Sequence, residues 1–278
     1  MRSFQRSIII LVLLIVSFVN AHAAQQFARV SDKKGADLAE VVKNVEGADV
    51  IFIGEVHDNA QHHKVQLDIV RSLYAKKFPV AIGLEMFTPE NQQMLDDWTE
   101  GKLDEQSFKL IYSKSWSYDW QLYRDLFIFA RDNHIPMIAL NTPKAVISKV
   151  VAQGSSALKA SELPPKISWS LNVSQAAYMR TVAKQAFGNT PPHKLATRLG
   201  EAQALRNNGM AWNVAKYKEK HAAAKVVVLA GTWHAVKNGV PEQLSAYDKL
   251  TYRVILPELP EFNLENATVG EADYLIMR

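Results

Sequence analysis

The chain has 278 residues, is 48% hydrophobic, contains no cysteine and carries a formal charge of +4 at pH 7. That length and apolar content suit one large globular domain, or a domain with an inserted lobe. The missing cysteines exclude disulfides, thiolate metal sites, cysteine nucleophiles and lipid attachment through an N-terminal cysteine.

The N-terminus reads as a targeting segment. Arg2 and Arg6 precede an apolar run from Ile8 to Val19, and Ala21-His22-Ala23 has the small-x-small pattern of a signal peptidase site. The run falls short of the roughly 20 residues that a transmembrane helix needs. Export with cleavage after Ala23 is expected, giving a soluble periplasmic protein, and an uncleaved signal anchor is the alternative. Loss of residues 1–23 removes two arginines and no acids, so the charge drops to +2 and the basic balance implies no nucleic-acid partner. No basic stripe with interleaved aromatics contradicts that.

Residues 25–46 read as a short lead-in and a first helix. Asp49 to Ile53 is a buried strand by its apolar run, and it ends in Gly54, Glu55 and His57, followed by Asp58, Asn59, His62 and His63. Glu55 and His57 stand two apart, so a persisting strand points them the same way. A helix is expected over 61–77, then a strand from Val80 to Leu84 that ends at Glu85, Met86 and Phe87. Thr88-Pro89-Glu90 is a helix start, with Thr as cap and Pro at the first position.

Residues 89–133 read as helical, with breaks near Gly101 and between Tyr112 and Tyr118. A third strand from Ile135 to Leu140 ends in Asn141, and Thr142-Pro143 opens another helix. Residues 153–172 are the least regular part. From Ser174 to about His221 the pattern is helical with an interruption at Gly188–Pro192, too long for one crossover, so residues 153–222 are expected to form an inserted helical lobe. The fourth strand, Lys225 to Ala230, ends in Gly231-Thr232-Trp233-His234. Leu250–Leu256 and Ala272–Met277 complete the strand candidates.

Four apolar strands alternating with helices predict an α/β fold, a largely parallel sheet flanked by helices, as a single domain over 24–278. Glu55, His57, Glu85, Asn141 and His234 all follow strand C-termini, the edge where open α/β sheets bind ligands. Such a set suits an acid–base pair in one pocket, or a divalent metal held by Glu55, Glu85 and His234. Capping of the following helices is the plainer role, and Asn141 fits it. The chain has no GxxxxGK[ST], GxGxxG, GxSxG or HExxH motif, which argues against nucleotide binding and serine hydrolysis.

The set resembles the ChaN family of haem-binding, iron-regulated proteins of the Tiki superfamily. The matching pieces are Gly54-Glu55-Val56-His57-Asp58-Asn59 with His62-His63, Gly83 to Phe87, Tyr123-Arg124, Ala139-Leu140-Asn141, Glu201 to Arg206, and His234 through Gly239-Val240-Pro241. The resemblance implies an exported haem-binding protein of iron acquisition, with haem held by the helical lobe at a homodimer interface and a tyrosine as iron ligand. It implies Tyr178 as the first candidate ligand and His62, His63, Arg124 and His193 as further haem contacts. An outer-membrane haem receptor is an expected partner. Related members include metal-dependent proteases and erythromycin esterases, so the alternative is a metal-dependent hydrolase with His57 as general base and Glu55, Glu85 and His234 around a divalent metal or a water. Two features depart from the family: the absent lipoprotein cysteine, and Trp233, where a small residue is usual.

Overall fold

Apolar runs too short for helices and punctuated by glycine and polar residues become the strands of one sheet. A computed structural model describes residues 26–278 apart from 189–191, 193 and 248. The targeting segment and His193 therefore lie outside the described residues.

The strands are β1 (Phe27–Arg29), β2 (Gly35–Ala36), β3 (Val50–Glu55), β4 (Val80–Leu84), β5 (Met137–Ala139), β6 (Lys225–Gly231), β7 (Tyr252–Pro257) and β8 (Tyr274–Ile276). They form an eight-stranded sheet in the order β2-β1-β8-β7-β3-β6-β4-β5. From β8 to β5 all pairs are parallel, whereas β1 pairs antiparallel with both β8 and β2. The fold is thus α/β with a largely parallel sheet. The antiparallel β1–β2 extension replaces the first part of the expected lead-in, and its strands are too short to show a period in the sequence.

Buried side chains alternate between the two faces, as a strand covered on both sides requires. Ile51, Ile53, Ile82, Leu84, Val227 and Leu229 point into one core layer, and Val50, Phe52, Ala81, Val226 and Val228 into the other. The first layer is covered by α1 (Leu38–Val45), α2 (Ala60–Ala75), α3 (Gln92–Thr99), α4 (Glu105–Ser115) and α5 (Trp120–Asp132). The second is covered by α8 (Leu195–Lys220), through Met210, Ala211, Val214 and Ala215, and by α10 (Val240–Leu244). A smaller cluster joins α6 (Lys144–Gln153) to α8 through Val150, Ala202 and Leu205. The helix α7 (Val173–Phe187) lies beside α8.

Local signals explain most boundaries. Asn59, Asp104, Asp119 and Asn172 each accept a backbone N–H in the first turn of the helix they cap. Thr88 and Asn91 form a capping box around Pro89, opening a 3₁₀ turn before α3. Thr142 does not cap α6: its hydroxyl donates to the Leu205 carbonyl of α8, and Pro143 holds the cap position. The break at Gly101 has φ +74°, a left-handed backbone that glycine adopts without strain.

Candidate functional site

The C-terminal rim of the parallel strands gathers the polar residues singled out above. Glu55 is the last residue of β3, Glu85 follows β4, Asn141 lies just beyond β5, and His234 sits in the short helix α9 (Thr232–Ala235) after β6. Glu55, Glu85 and His234 are buried, while His57 is partly open.

Glu55 is tied down on both oxygens. One accepts from the Tyr123 hydroxyl and meets His57 Nδ1 at 2.7 Å, and the other accepts from Gln66 Nε2 at 2.7 Å. Burial beside this anion raises the Tyr123 phenol, so it stays a donor. His57 packs against Trp116 and Tyr118, with ring centroids 4.9 and 4.8 Å away. Burial alone would lower the His57 imidazole, but its hydrogen bond to Glu55 and the charge of Glu85 outweigh that and raise it above its ordinary value.

Glu85 accepts from the Gly231 N–H at 2.6 Å and pairs with Arg206 Nη2 through its other oxygen, which also lies 3.6 Å from His234 Nε2. Burial alone would raise this carboxyl; His234, Arg206, His57 and the Gly231 N–H outweigh it and hold it down at about 2. Asn141 acts as a bracket: its amide donates to the Glu85 carbonyl at 2.8 Å, and its oxygen accepts from Arg206 Nε at 3.2 Å. His234 Nδ1 lies 2.6 Å from the Asn207 side-chain oxygen and 3.2 Å from Gln203 Nε2. Burial and then Arg206 push the His234 imidazole down to about 3, so at pH 7 it is neutral and Arg206 is the charge paired with Glu85, and His234 becomes a cation beside Glu85 only in the acid range where that carboxyl titrates. Gly231 lets these groups converge, because a Cβ there would stand 2.9 Å from His57 Cε1 and 3.1 Å from its Nε2.

Above these residues lies a cavity of about 570 Å³. Glu55, His57, Glu85, Arg206 and His234 form its floor, and Tyr178, Met179, Val182, Ile147, Trp233 and Leu259 line its apolar wall. The rings of Tyr178 and Trp233 stack at 4.3 Å and 11°. Trp233 thus adds to the aromatic wall and is itself covered by Tyr178.

The structure brings Glu55, His57, Glu85, Arg206 and His234 together with Tyr178, and leaves other candidates outside the cavity. His62 accepts the Val56 N–H at 3.0 Å on the helix-opening turn. His63 meets the His57 carbonyl at 3.0 Å and packs against Tyr123 with ring centroids 4.1 Å apart and planes tilted by 46°. Arg124 forms a two-pronged ion pair with Glu105 at the surface. None of the three lines the cavity. Sequence reasoning gave no role to Tyr123, Gln66, Arg206, Gln203 and Asn207. The last three recur at spacings of three and four on α8, one face of a helix, and buried polar residues there were the available signal.

A divalent ion does not fit this donor set. Among the described residues no group of three or more His, Asp or Glu is arranged to hold a metal. The physical reason is local: the Arg206 guanidinium occupies the place a cation would take beside Glu85, and both Glu55 oxygens are already engaged.

The sequence profile of a family described as haem-binding uptake, Tiki superfamily, ChaN matches residues 41–244. Among solved structures, one reporting cofacial heme binding to ChaN of Campylobacter jejuni superimposes with a TM-score of 0.71 at 19% identity, covering 90% of this chain and 94% of that one. The type III effector HopBA1 gives a TM-score of 0.52 at 13% identity, covering 85% of this chain and 90% of its own. An erythromycin esterase mutant in its open conformation gives 0.51 at 12% identity, covering 84% and 76%. These likenesses show a shared fold. Protein RETICULATA-RELATED 5, chloroplastic, of Arabidopsis thaliana is 28% identical over 135 residues, 46% of this chain but only 18% of the relative's length. Among the described residues no helix is long and apolar enough to cross a membrane.

Proposed function

The chain belongs to the ChaN family of the Tiki superfamily, haem-binding uptake proteins, and from that premise we propose that it binds haem in the cavity above the strand ends. The observation that carries this reading is the wall of that cavity: a stacked Tyr178–Trp233 pair beside Met179, Val182 and Ile147, with a phenol hydroxyl that has no hydrogen-bond partner among the described residues. A flat apolar macrocycle needs such a wall, and a ferric ion is held well by a phenolate. Tyr178 is the proposed iron ligand. Its phenol is raised by burial and by the charge of Glu85, so without iron it stays protonated and keeps the cavity free of an unpaired anion.

Export through the N-terminal segment, haem held at a homodimer interface and transfer to or from an outer-membrane receptor complete the proposal. The exposed Val173 and Phe187 at the two ends of α7 support an apolar contact with a second copy. Titration of the purified protein with hemin tests the reading. A saturable Soret shift and a tyrosinate charge-transfer band are expected, the band disappearing in Tyr178→Phe; no spectral change at micromolar hemin would rule it out.

A second reading is metal-free hydrolysis of an ester or peptide, favoured by the Glu55–His57 pair with Nε2 open to the cavity. There the neutral fraction of His57 would take a proton from water as its oxygen attacks the carbonyl, and would return it to the leaving group. Turnover of ester substrates that vanishes in both Glu55→Gln and His57→Asn is the expected result. An unchanged rate in either variant contradicts it.

A further inference from the structure

Resting on the haem reading, we infer that Trp233 is a positioning residue: its indole, stacked flat on the Tyr178 ring, holds that phenol in the direction that iron ligation needs.

The helix that carries Tyr178 does not fix the ring by itself. Along α7, Gln175, Met179 and Ala183 are buried at intervals of four and make up the buried face of a helix whose main neighbour is α8. Tyr178 stands one residue off that row and is half-buried, and its hydroxyl has no hydrogen-bond partner among the described residues. Trp233 is the one aromatic ring it meets there, with centroids 4.3 Å apart and planes 11° from parallel. A tyrosine side chain turns about two torsions, and with no hydrogen bond to set them the stack decides where the hydroxyl points.

The indole, in turn, is fixed from the sheet. Trp233 lies in α9, directly after the interior strand β6. Its carbonyl accepts from Gln203 Nε2 of α8 at 3.2 Å and, more weakly, from Gln175 Nε2 of α7 at 3.5 Å. The indole also packs against the buried Phe262, with ring centroids 5.0 Å apart. Gln175 and Tyr178 stand three apart on α7 and so share a face. Both end on Trp233, one on its backbone and the other on its ring. The lobe helix is thereby registered against the strand end at a single residue, and both rings line the cavity.

The size of the effect follows from the stack. Parallel aromatic pairs favour one arrangement over its alternatives by roughly twofold to tenfold. Apparent affinity scales with the fraction of protein whose ligating group is already in place, so loss of the stack weakens binding by a similar factor. An indole that only walled the cavity would act through contact with the porphyrin. Its removal would then cost the same whether or not residue 178 carries a hydroxyl.

The test is a double-mutant cycle on the full chain, titrated with hemin and followed in the Soret and tyrosinate charge-transfer bands. Trp233→Leu, which stays apolar but cannot stack, is expected to weaken hemin binding by roughly threefold to tenfold and to shift or weaken the tyrosinate band. Trp233→Phe, which restores a ring able to stack, should recover both. In the Tyr178→Phe background Trp233→Leu should cost nothing further, because no phenol is left to aim. Trp233→Met, whose flexible side chain fills irregular gaps, gives the same comparison where leucine disturbs the fold. Wild-type affinity and band in the variant without a stack would overturn the inference. An equal loss of affinity in both backgrounds would overturn it as well, making the indole a plain wall. Either result leaves the haem reading standing. Wild-type protein that binds no hemin, or binds it without a tyrosinate band, would remove the assignment of Tyr178 and this inference with it.

Discussion

Replacing Arg206 with methionine removes the one full cation that pairs with the Glu85 carboxylate at neutral pH, while keeping most of the side chain's length. Glu85 is 2% exposed, so water does not substitute for the lost partner. Breaking a buried pair on one side costs about 3–5 kcal/mol. Against burial, the carboxyl is held down from 4.5 to about 2 jointly by His234, Arg206, His57 and the Gly231 N–H, so the shift stabilises the fold and Arg206 supplies part of it. The folded value is depressed, so this stability is complete above the unfolded value of 4.5 and is lost as pH falls towards about 2. The difference between wild type and Arg206→Met should therefore be about 3 kcal/mol at pH 7 and smaller at pH 3.5. Urea unfolding followed by tryptophan fluorescence at the two pH values measures it. A difference below about 1 kcal/mol at pH 7, the size of an exposed ion pair, or one that does not shrink on acidification, would refute the account of Glu85.

Three further outcomes follow from the same geometry. Tyr123→Phe takes one of three hydrogen bonds from the buried Glu55 carboxylate and should destabilise the fold by about 2 kcal/mol in urea unfolding. His57 is raised, so its pairing contributes stability that is complete below the ordinary value of 6.5 and is lost as pH rises through the folded value. His57→Asn should therefore cost more stability at pH 6 than at pH 9, and an equal cost at both would contradict the assignment. Gly239→Ala would drive a Cβ to 2.4 Å from the His234 carbonyl, a backbone atom that cannot swing aside. It should cost about 2 kcal/mol or more and weaken hemin binding by displacing His234.

The parts of the fold written in apolar period were legible in the sequence. The centres of β3, β4 and β6 are continuous apolar runs because a strand covered on both faces has no polar face to show. The residues after them were legible because a parallel sheet places every strand C-terminus at one rim. What was hidden depends on three-dimensional partnership. The β1–β2 extension has too few residues to show a period. Thr142 has the residue types of a cap, and only the nearby Leu205 carbonyl explains why its hydroxyl turns elsewhere. The metal expectation rested on Glu55, Glu85 and His234, and no spacing rule shows that Arg206, contributed by α8, sits against Glu85. Tyr123, beside the expected contact Arg124, points inward to Glu55 while Arg124 reaches out to Glu105, since neighbouring positions on a helix face different ways.

Anomalous diffraction at the iron edge from hemin-loaded crystals tests the central claim most directly. The account predicts an iron peak inside the cavity, within bonding distance of the Tyr178 hydroxyl and facing the floor of His57, Glu85 and Arg206. An iron peak elsewhere on the molecule, with this cavity holding only water, would contradict it.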